Sequence, residues 1–205
     1  MLNINNLEFS YDKKLIFKDV SFSIDKGELI LINGVSGIGK TTLVQIIAGY
    51  IKPLKGTIIL DQHNITAKPN RDVILCSQNN ILYPWLNIYD QLKFLIGNKK
   101  EKILYYLSLV GLENDLIKYP YELSGGMKKR LLLARALCVS PKVIILDEVF
   151  SSLDVLSKQR LFDLIKKIKN EMKTSFILIS HVPIPNELID YKYILKNKKV
   201  ILEKE

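Results

Sequence analysis

Cysteine is scarce in this chain: of 205 residues only Cys76 and Cys138 carry a thiol, and neither lies in a Cys-x-x-Cys pair or a mixed Cys/His cluster. That excludes a disulfide scaffold and a structural zinc, and it reads as two buried thiols in a reducing compartment. Long apolar runs are missing too. No stretch reaches the roughly 18 uninterrupted apolar residues that a bilayer-crossing helix needs. Met1 to Phe9 has neither the basic start nor the apolar core of a secretion signal, so a cytoplasmic location is expected. Aromatic residues do not interleave with the lysines, which argues against a single-strand nucleic-acid platform. What remains is ordinary for a globular domain, with 48% hydrophobic and 25% charged residues. The formal charge is +9, spread over small groups such as Lys99, Lys100 and Lys102 or Lys166, Lys167 and Lys169. On helices such groups form solvated faces, and the overall sign suits a membrane-surface setting better than a nucleic acid.

Periodicity gives an α/β chain. Leu2, Ile4, Leu7 and Phe9 alternate with a slip at Asn5–Asn6, and Val20, Phe22 and Ile24 alternate cleanly. These two strands, joined by a turn at Tyr11–Lys14, are expected to form an N-terminal antiparallel sheet with one solvated face. Leu29–Ile32 is instead a continuous apolar run, the mark of a strand covered on both faces. Further short buried strands are expected at 57–60, Val73–Ser77, Val143–Asp147 and 176–180. Between about 80 and 135 strands give way to a helical insertion, with Asn87 capping one helix and Gly111 ending another. Leu161, Leu164, Ile165, Ile168 and Met172 make the stripe of a later helix. The end, from Tyr193, reads as strand, Lys-Asn-Lys-Lys turn and strand. No repeat or linker divides residues 1–205, which are read as one domain.

Two segments carry chemistry. Gly34-Val35-Ser36-Gly37-Ile38-Gly39-Lys40-Thr41 matches G-x-x-x-x-G-K-[ST] in full, between a buried strand and an amphipathic helix. Here Gly34, Ser36, Gly37 and Gly39 let the backbone aim N–H groups at phosphate oxygens, and the helix N-terminus adds positive potential. Lys40 can reach the β- and γ-phosphates of ATP, the Thr41 hydroxyl can ligate Mg²⁺, and Thr42 is counted with them as a nucleotide-binding residue. The strand Val143–Leu146 ends in Asp147-Glu148, which puts two carboxylates at the exposed tip of a parallel sheet. Asp147 is read as a Mg²⁺ residue acting through water, and Glu148 as the residue that orients and polarises the attacking water.

A third segment narrows the family. Leu123-Ser124-Gly125-Gly126-Met127 precedes a helix bearing Lys128, Lys129, Arg130 and Arg135. In order between the phosphate loop and the acidic strand, it resembles the L-S-G-G-Q signature of the ABC transporter ATPases, with Met127 in place of glutamine. The resemblance covers nearly the whole chain and implies a P-loop NTPase core with a parallel sheet, an antiparallel β subdomain and an inserted α-helical subdomain. It implies that Ser124, Gly125 and Gly126 meet the γ-phosphate bound by a second ATPase subunit, most simply an identical chain. It places Tyr11 where an aromatic ring stacks on adenine. Gln78 falls where a glutamine senses Mg²⁺ and the attacking water. Ser151-Ser152-Leu153-Asp154 corresponds to the loop that contacts the opposite subunit, Asp154 included among the nucleotide-site residues. His181 corresponds to a histidine touching the γ-phosphate. The chain departs from the family pattern at Val149, where proline is common, and at Val182, where aspartate is usual.

The resemblance further implies transmembrane permease subunits gripped through the helical insertion, at Tyr83-Pro84-Trp85-Leu86, and for an importer an extracytoplasmic solute-binding protein. The segment Ile81–Ile88 is similar to the L-x-P-W-x-x-V pattern of importers for nitrate, sulfonates, taurine and thiamine precursors. Ending at residue 205, the chain is expected to lack the C-terminal regulatory domain of sugar importers. The expectation is an importer ATPase at the cytoplasmic face of a membrane, using ATP and Mg²⁺. The alternatives are an exporter subunit, a non-transport ABC ATPase and a P-loop kinase; the last has no use for Leu-Ser-Gly-Gly.

Overall fold

A computed structural model describes residues 1–12, 14–77 and 82–203. Its strands form two sheets, and each strand's burial follows from which sheet it joins. Strands β1 (Leu2–Tyr11) and β2 (Lys14–Ile24) pair antiparallel, as their alternation predicts. The slip at Asn5–Asn6 is a bulge: Asn6 takes a φ of 49° and the register shifts between Ile4 and Leu7. One extra residue there restores Leu7 and Phe9 to the buried face.

The five residues of β3 (Leu29–Asn33) start the second sheet, and helix α1 (Lys40–Ile47) follows. Strand β4 (Lys55–Leu60) departs from expectation. It belongs to the first sheet, antiparallel to β1, and only Ile58 and Leu60 are fully buried, so its run is one-sided. A short β5 (His63–Asn64) adds to its edge, where His63 is exposed as a surface residue. Among the described residues the first sheet has the order β2-β1-β4-β5.

Strand β6 (Val73–Ser77) leads into the helical insertion of α2 (Ile88–Ile96), α3 (Lys100–Leu109) and α4 (Gly125–Cys138), after which β7 (Val143–Asp147) resumes the sheet. Asn87 caps α2 by accepting from the Asp90 N–H at 2.8 Å, and Gly111 follows α3 with φ 64°. Helix α5 (Val155–Met172), strand β8 (Ser175–Ile179) and the hairpin of β9 (Tyr191–Lys196) and β10 (Lys199–Leu202) complete the chain. The hairpin turn has Asn197 and Lys198 at φ 51° and 63°, as a two-residue turn between twisted strands requires. Among the described residues the second sheet has the order β10-β9-β3-β8-β7-β6, parallel except for β10.

Each core strand of that sheet serves two cores. Leu29 and Leu31 of β3 face α2–α5, and Ile30 and Ile32 face α1 and the antiparallel sheet. The same division puts Ile144 and Leu146 on one side of β7 and Val143 and Ile145 on the other. That double burial is why these strands are apolar without alternation. Cys76 and Cys138 are both buried free thiols, and burial pushes Cys76 up to about 12 and Cys138 up to about 11.

Candidate active site

Parallel strands β3, β7 and β8 deliver their carboxyl ends to one edge of the sheet, so the loops after them meet there. After β3 comes the phosphate loop. Gly39, with φ 112°, enters α1 in the left-handed region, and a Cβ on it would lie 2.4 Å from Ile16 Cγ2. Only glycine meets both demands. Lys40 is buried and its Nζ donates to the Gly34 and Val35 carbonyls at 2.7 and 3.1 Å. Burial lowers its pKa, opposed by the negative charges of Glu148 and Asp147. Ser36 and Gly37 are exposed at the tip of the loop. Thr42 is buried at the helix start, and its Oγ1 lies 3.4 Å from the Tyr11 hydroxyl. Tyr11 is half exposed and packs edge-on against Phe9, with ring centroids 4.8 Å apart. An aromatic face is thereby held open beside the loop.

After β7 come the two carboxylates. Asp147 is buried, and burial raises its pKa, with the Thr41 side-chain hydrogen bond as the main opposing influence. Its Oδ1 has no hydrogen-bond partner among the described residues. A buried, unpartnered carboxylate oxygen costs about 1–3 kcal/mol unless something binds it. Hard-oxygen donors side by side, carboxylate and hydroxyl, suit Mg²⁺. The described residues contain no cluster of three or more His, Cys, Asp or Glu. Asp147 and Thr41 fit Mg²⁺ as two of its oxygen ligands.

Glu148 sits at φ 55°, an unusual backbone for a residue with a side chain, and its N–H donates to the Ile179 carbonyl at 3.0 Å. This kink turns the side chain toward the loop after β8. There the His181 N–H donates to Glu148 Oε2 at 3.4 Å, and His181 Nε2 lies 3.3 Å from Oε1. The second contact is not a hydrogen bond, and Oε1 is buried without a hydrogen-bond partner among the described residues. Ser180 Oγ accepts from the Val182 N–H at 2.9 Å and fixes the turn that carries His181.

The signature residues form a separate cluster. Ser124 caps α4, its Oγ accepting from the Met127 N–H at 3.2 Å, and it is exposed together with Gly125. Gly126 backs onto the start of α5: a Cβ there would come within 2.7 Å of Ser157 Oγ and 3.1 Å of Ser157 Cβ. Asp154 is exposed and caps α5, accepting from the Ser157 N–H at 2.9 Å, and those Ser157 hydrogen bonds hold its carboxyl below the usual range. The Ser124–Gly126 segment and the Ser151–Asp154 loop are thus one unit, joined through Ser157. The three departures from the family pattern serve packing. Val149 is buried, while Met127 and Val182 pack partly buried against the core under the helices.

The structure brings together Gly34, Gly37, Gly39, Lys40, Thr41, Thr42, Asp147, Glu148, His181 and Tyr11. It places Ser124, Gly125, Gly126 and Asp154 elsewhere, and Gln78 lies outside the described residues. Sequence reasoning passed over Ile16 and Ser157. Neither has a local signal, because each acts on a glycine distant in the chain.

Known proteins resemble this chain in sequence and in fold. Residues 17–151 match the family described as ABC transporter. The spermidine/putrescine import ATP-binding protein PotA of Fusobacterium nucleatum is 40% identical over 189 residues, covering 88% of this chain and 50% of that protein. The nitrate transport protein NasD of Klebsiella oxytoca is 38% identical over 178 residues, covering 82% and 67%. The taurine import ATP-binding protein TauB of Yersinia pestis is 36% identical over 191 residues, covering 88% and 73%. The chain spans about half the length of the spermidine/putrescine relatives it matches. Among solved structures, cbiO1 of Clostridium perfringens, part of the ABC transporter complex cbiONQ, superposes with a TM-score of 0.89 at 28% identity over 98% of this chain and 86% of that one. The dimeric cassette MJ0796 bound to ADP and Pi shares the fold, with a TM-score of 0.84 at 24% identity over 100% and 98%.

Proposed function

Because this chain belongs to the ABC transporter family, we propose that it binds and hydrolyses ATP and drives an importer from the cytoplasmic face of a membrane. The observation that carries this reading is the convergence of Lys40, Thr41, Asp147, Glu148 and His181 at one sheet edge, with a buried carboxylate oxygen left for a cation. Backbone amides of Gly34 to Lys40 hold the phosphates, and Lys40 exchanges its two carbonyl partners for phosphate oxygens. Thr41 and Asp147 would hold Mg²⁺, which would supply neutralisation of the charge that develops on the phosphate oxygens. Glu148 Oε1 accepts from the attacking water and orients it, and His181 holds Glu148 in place and faces the γ-phosphate. Gln78, the next residue in sequence after Ser77 and outside the described residues, is assigned to the same water and ion by family resemblance. Tyr11 offers its ring to the adenine.

Ser124, Gly125 and Gly126 sit on a different helix from this loop, so we assign them to the nucleotide of a second, identical chain. An exposed helix N-terminus with a serine and two glycines is a natural anion site for it. Closing two chains around two nucleotides excludes water and aligns the groups, so catalysis is mainly positioning and charge stabilisation. Permease subunits sit on the aromatic surface of the insertion, where Trp85 is 71% exposed. Among the described residues no helix is long and apolar enough to cross a membrane, and the permease supplies that passage. Import rather than export follows the relatives, whose names are those of nitrate, taurine and spermidine/putrescine import proteins. An extracytoplasmic solute-binding protein completes such a system.

The test is turnover. The wild-type chain should release free phosphate from ATP without any acceptor, with activity rising steeply with protein concentration. Glu148→Gln should retain ATP binding and lose roughly 10²–10⁴-fold in rate, as expected on losing a general base. Ordinary turnover in that variant, or a requirement for a phosphoryl acceptor, would overturn the reading.

A further inference from the structure

Between Leu82 and Asn87 the chain makes a short loop that presents aromatic surface. Trp85 is 71% exposed, Phe94 on α2 is 66% exposed, and Tyr83 packs between them with ring centroids 5.6 and 5.1 Å away. Exposed loops are ordinarily the mobile parts of a domain. This one is fastened from two sides.

Gln91 of α2 provides the first fastening. It is wholly buried, at 0% exposure, in a family of positions where a polar side chain needs a reason. All of its amide is used on the loop. Its Oε1 accepts from the Tyr83 N–H at 3.2 Å, and its Nε2 donates to the Tyr83 and Leu86 carbonyls at 2.7 and 3.0 Å. One side chain thus adds three hydrogen bonds to the loop's own turn bond, from the Leu86 N–H to the Tyr83 carbonyl at 3.1 Å. Arg135 provides the second. Its guanidinium stacks over the Tyr83 ring, 4.7 Å from the centroid, where a desolvated cation–π contact is strongest. Arg135 lies in the last turn of α4, the helix whose first turn is Ser124–Gly126. A rigid helix of that length carries a displacement at Ser124 across about 20 Å to Tyr83.

The geometry points to Gln91 and Arg135 as positioning residues that make the Tyr83–Leu86 loop move as one body with the signature helix. Engagement of Ser124 by a nucleotide is then felt at Trp85, the surface offered to the membrane partner. This inference rests on the proposed pairing of two chains around ATP. Gln91 fixes the shape of the loop and Arg135 ties that shape to α4, so the two contributions are separable.

Trp85 is the only tryptophan in the sequence, so its emission reports this loop alone. In the Glu148→Gln chain, Mg²⁺ and ATP should shift the Trp85 emission maximum and its accessibility to acrylamide, in step with dimer formation followed by light scattering. Adding Arg135→Met should leave assembly at the same ATP concentration and abolish the Trp85 shift. Because loss of Arg135 could impair folding, Tyr83 supplies an independent pair: Tyr83→Phe keeps the ring and should keep the shift, and Tyr83→Leu should lose it. Gln91→Ala should leave Trp85 quencher-accessible with and without ATP. A silent Trp85 in the Glu148→Gln chain, or a full shift in Arg135→Met and Tyr83→Leu, would overturn the linkage. A Trp85 shift that depends on Arg135 but occurs without assembly would instead sink the pairing of chains and leave the linkage standing.

Discussion

Replacing Gly126 with alanine tests how the signature cluster is built. The added Cβ would lie 2.7 Å from Ser157 Oγ and 3.1 Å from Ser157 Cβ, and both neighbours belong to the capped first turn of α5. The hydroxyl could rotate away, but Cβ cannot, so α4 and α5 must separate by a few tenths of an ångström. Overpacking of this kind costs about 1–3 kcal/mol. Alanine recovers up to ~1 kcal/mol of helix propensity over glycine in a helix interior, and less near an N-terminus. The expected net loss is therefore about 1–2 kcal/mol, or ~2–8 °C in Tm for a chain of this size. Urea unfolding of the four chains in a double-mutant cycle isolates the contact. Pairing Gly126→Ala with Ser157→Gly should recover at least about 1 kcal/mol beyond additivity, and pairing it with Ser157→Ala should recover less because the Cβ remains. Additivity to within ~0.5 kcal/mol would refute the idea that Ser157 is what demands glycine at 126.

Two further predictions concern charge. Asp147→Asn should stabilise the chain without ligands, by on the order of 1 kcal/mol, since a buried carboxylate with an unpartnered oxygen is exchanged for a neutral amide. It should also abolish the thermal stabilisation that Mg²⁺ adds to ATP, and a variant still stabilised by the ion would contradict the assignment. Asp61 has its carboxyl held down to about 2, chiefly by a hydrogen bond from the Met1 ammonium at 2.7 Å and also by Lys142 at 3.0 Å. Its folded pKa lies below the unfolded value near ~4, so its stabilisation is complete above that value and fades as pH falls toward 2. The group is exposed, so the effect is small and screened by salt. The urea midpoint of Asp61→Asn should trail the wild type more at pH 7 than at pH 3, and a gap that does not change with pH would count against the pairing.

Much of this was legible from neighbouring residues alone. The phosphate loop, the cap at Asn87 and the slip in β1 at Asn5–Asn6 depend on groups a few positions apart, and local pattern exposes them. The two-faced burial of β3 and β7 likewise shows in their unbroken apolar runs. Strand β4 misled for the same reason. Ile58, Ile59 and Leu60 read as a buried run, yet pairing with β1 turns Ile59 to the half-covered face. Register between distant strands has no local signature. Nor has the pressure of Ile16 on Gly39, of Ser157 on Gly126, or the burial of Gln91 under its own loop. Each is a contact between segments that only folding brings together. His181 stands between these cases, because its place after the last core strand marked it while its contact with Glu148 needed the structure.

The central claim is that one ATP is held by the Lys40 loop of one chain and the Ser124 segment of another. Its most direct test is the solution mass of the Glu148→Gln chain with saturating ATP and Mg²⁺, measured with and without Ser124→Arg. The account predicts a two-chain mass for the first and a single-chain mass for the second. A single chain in both, or a dimer that ignores the substitution at Ser124, would contradict it.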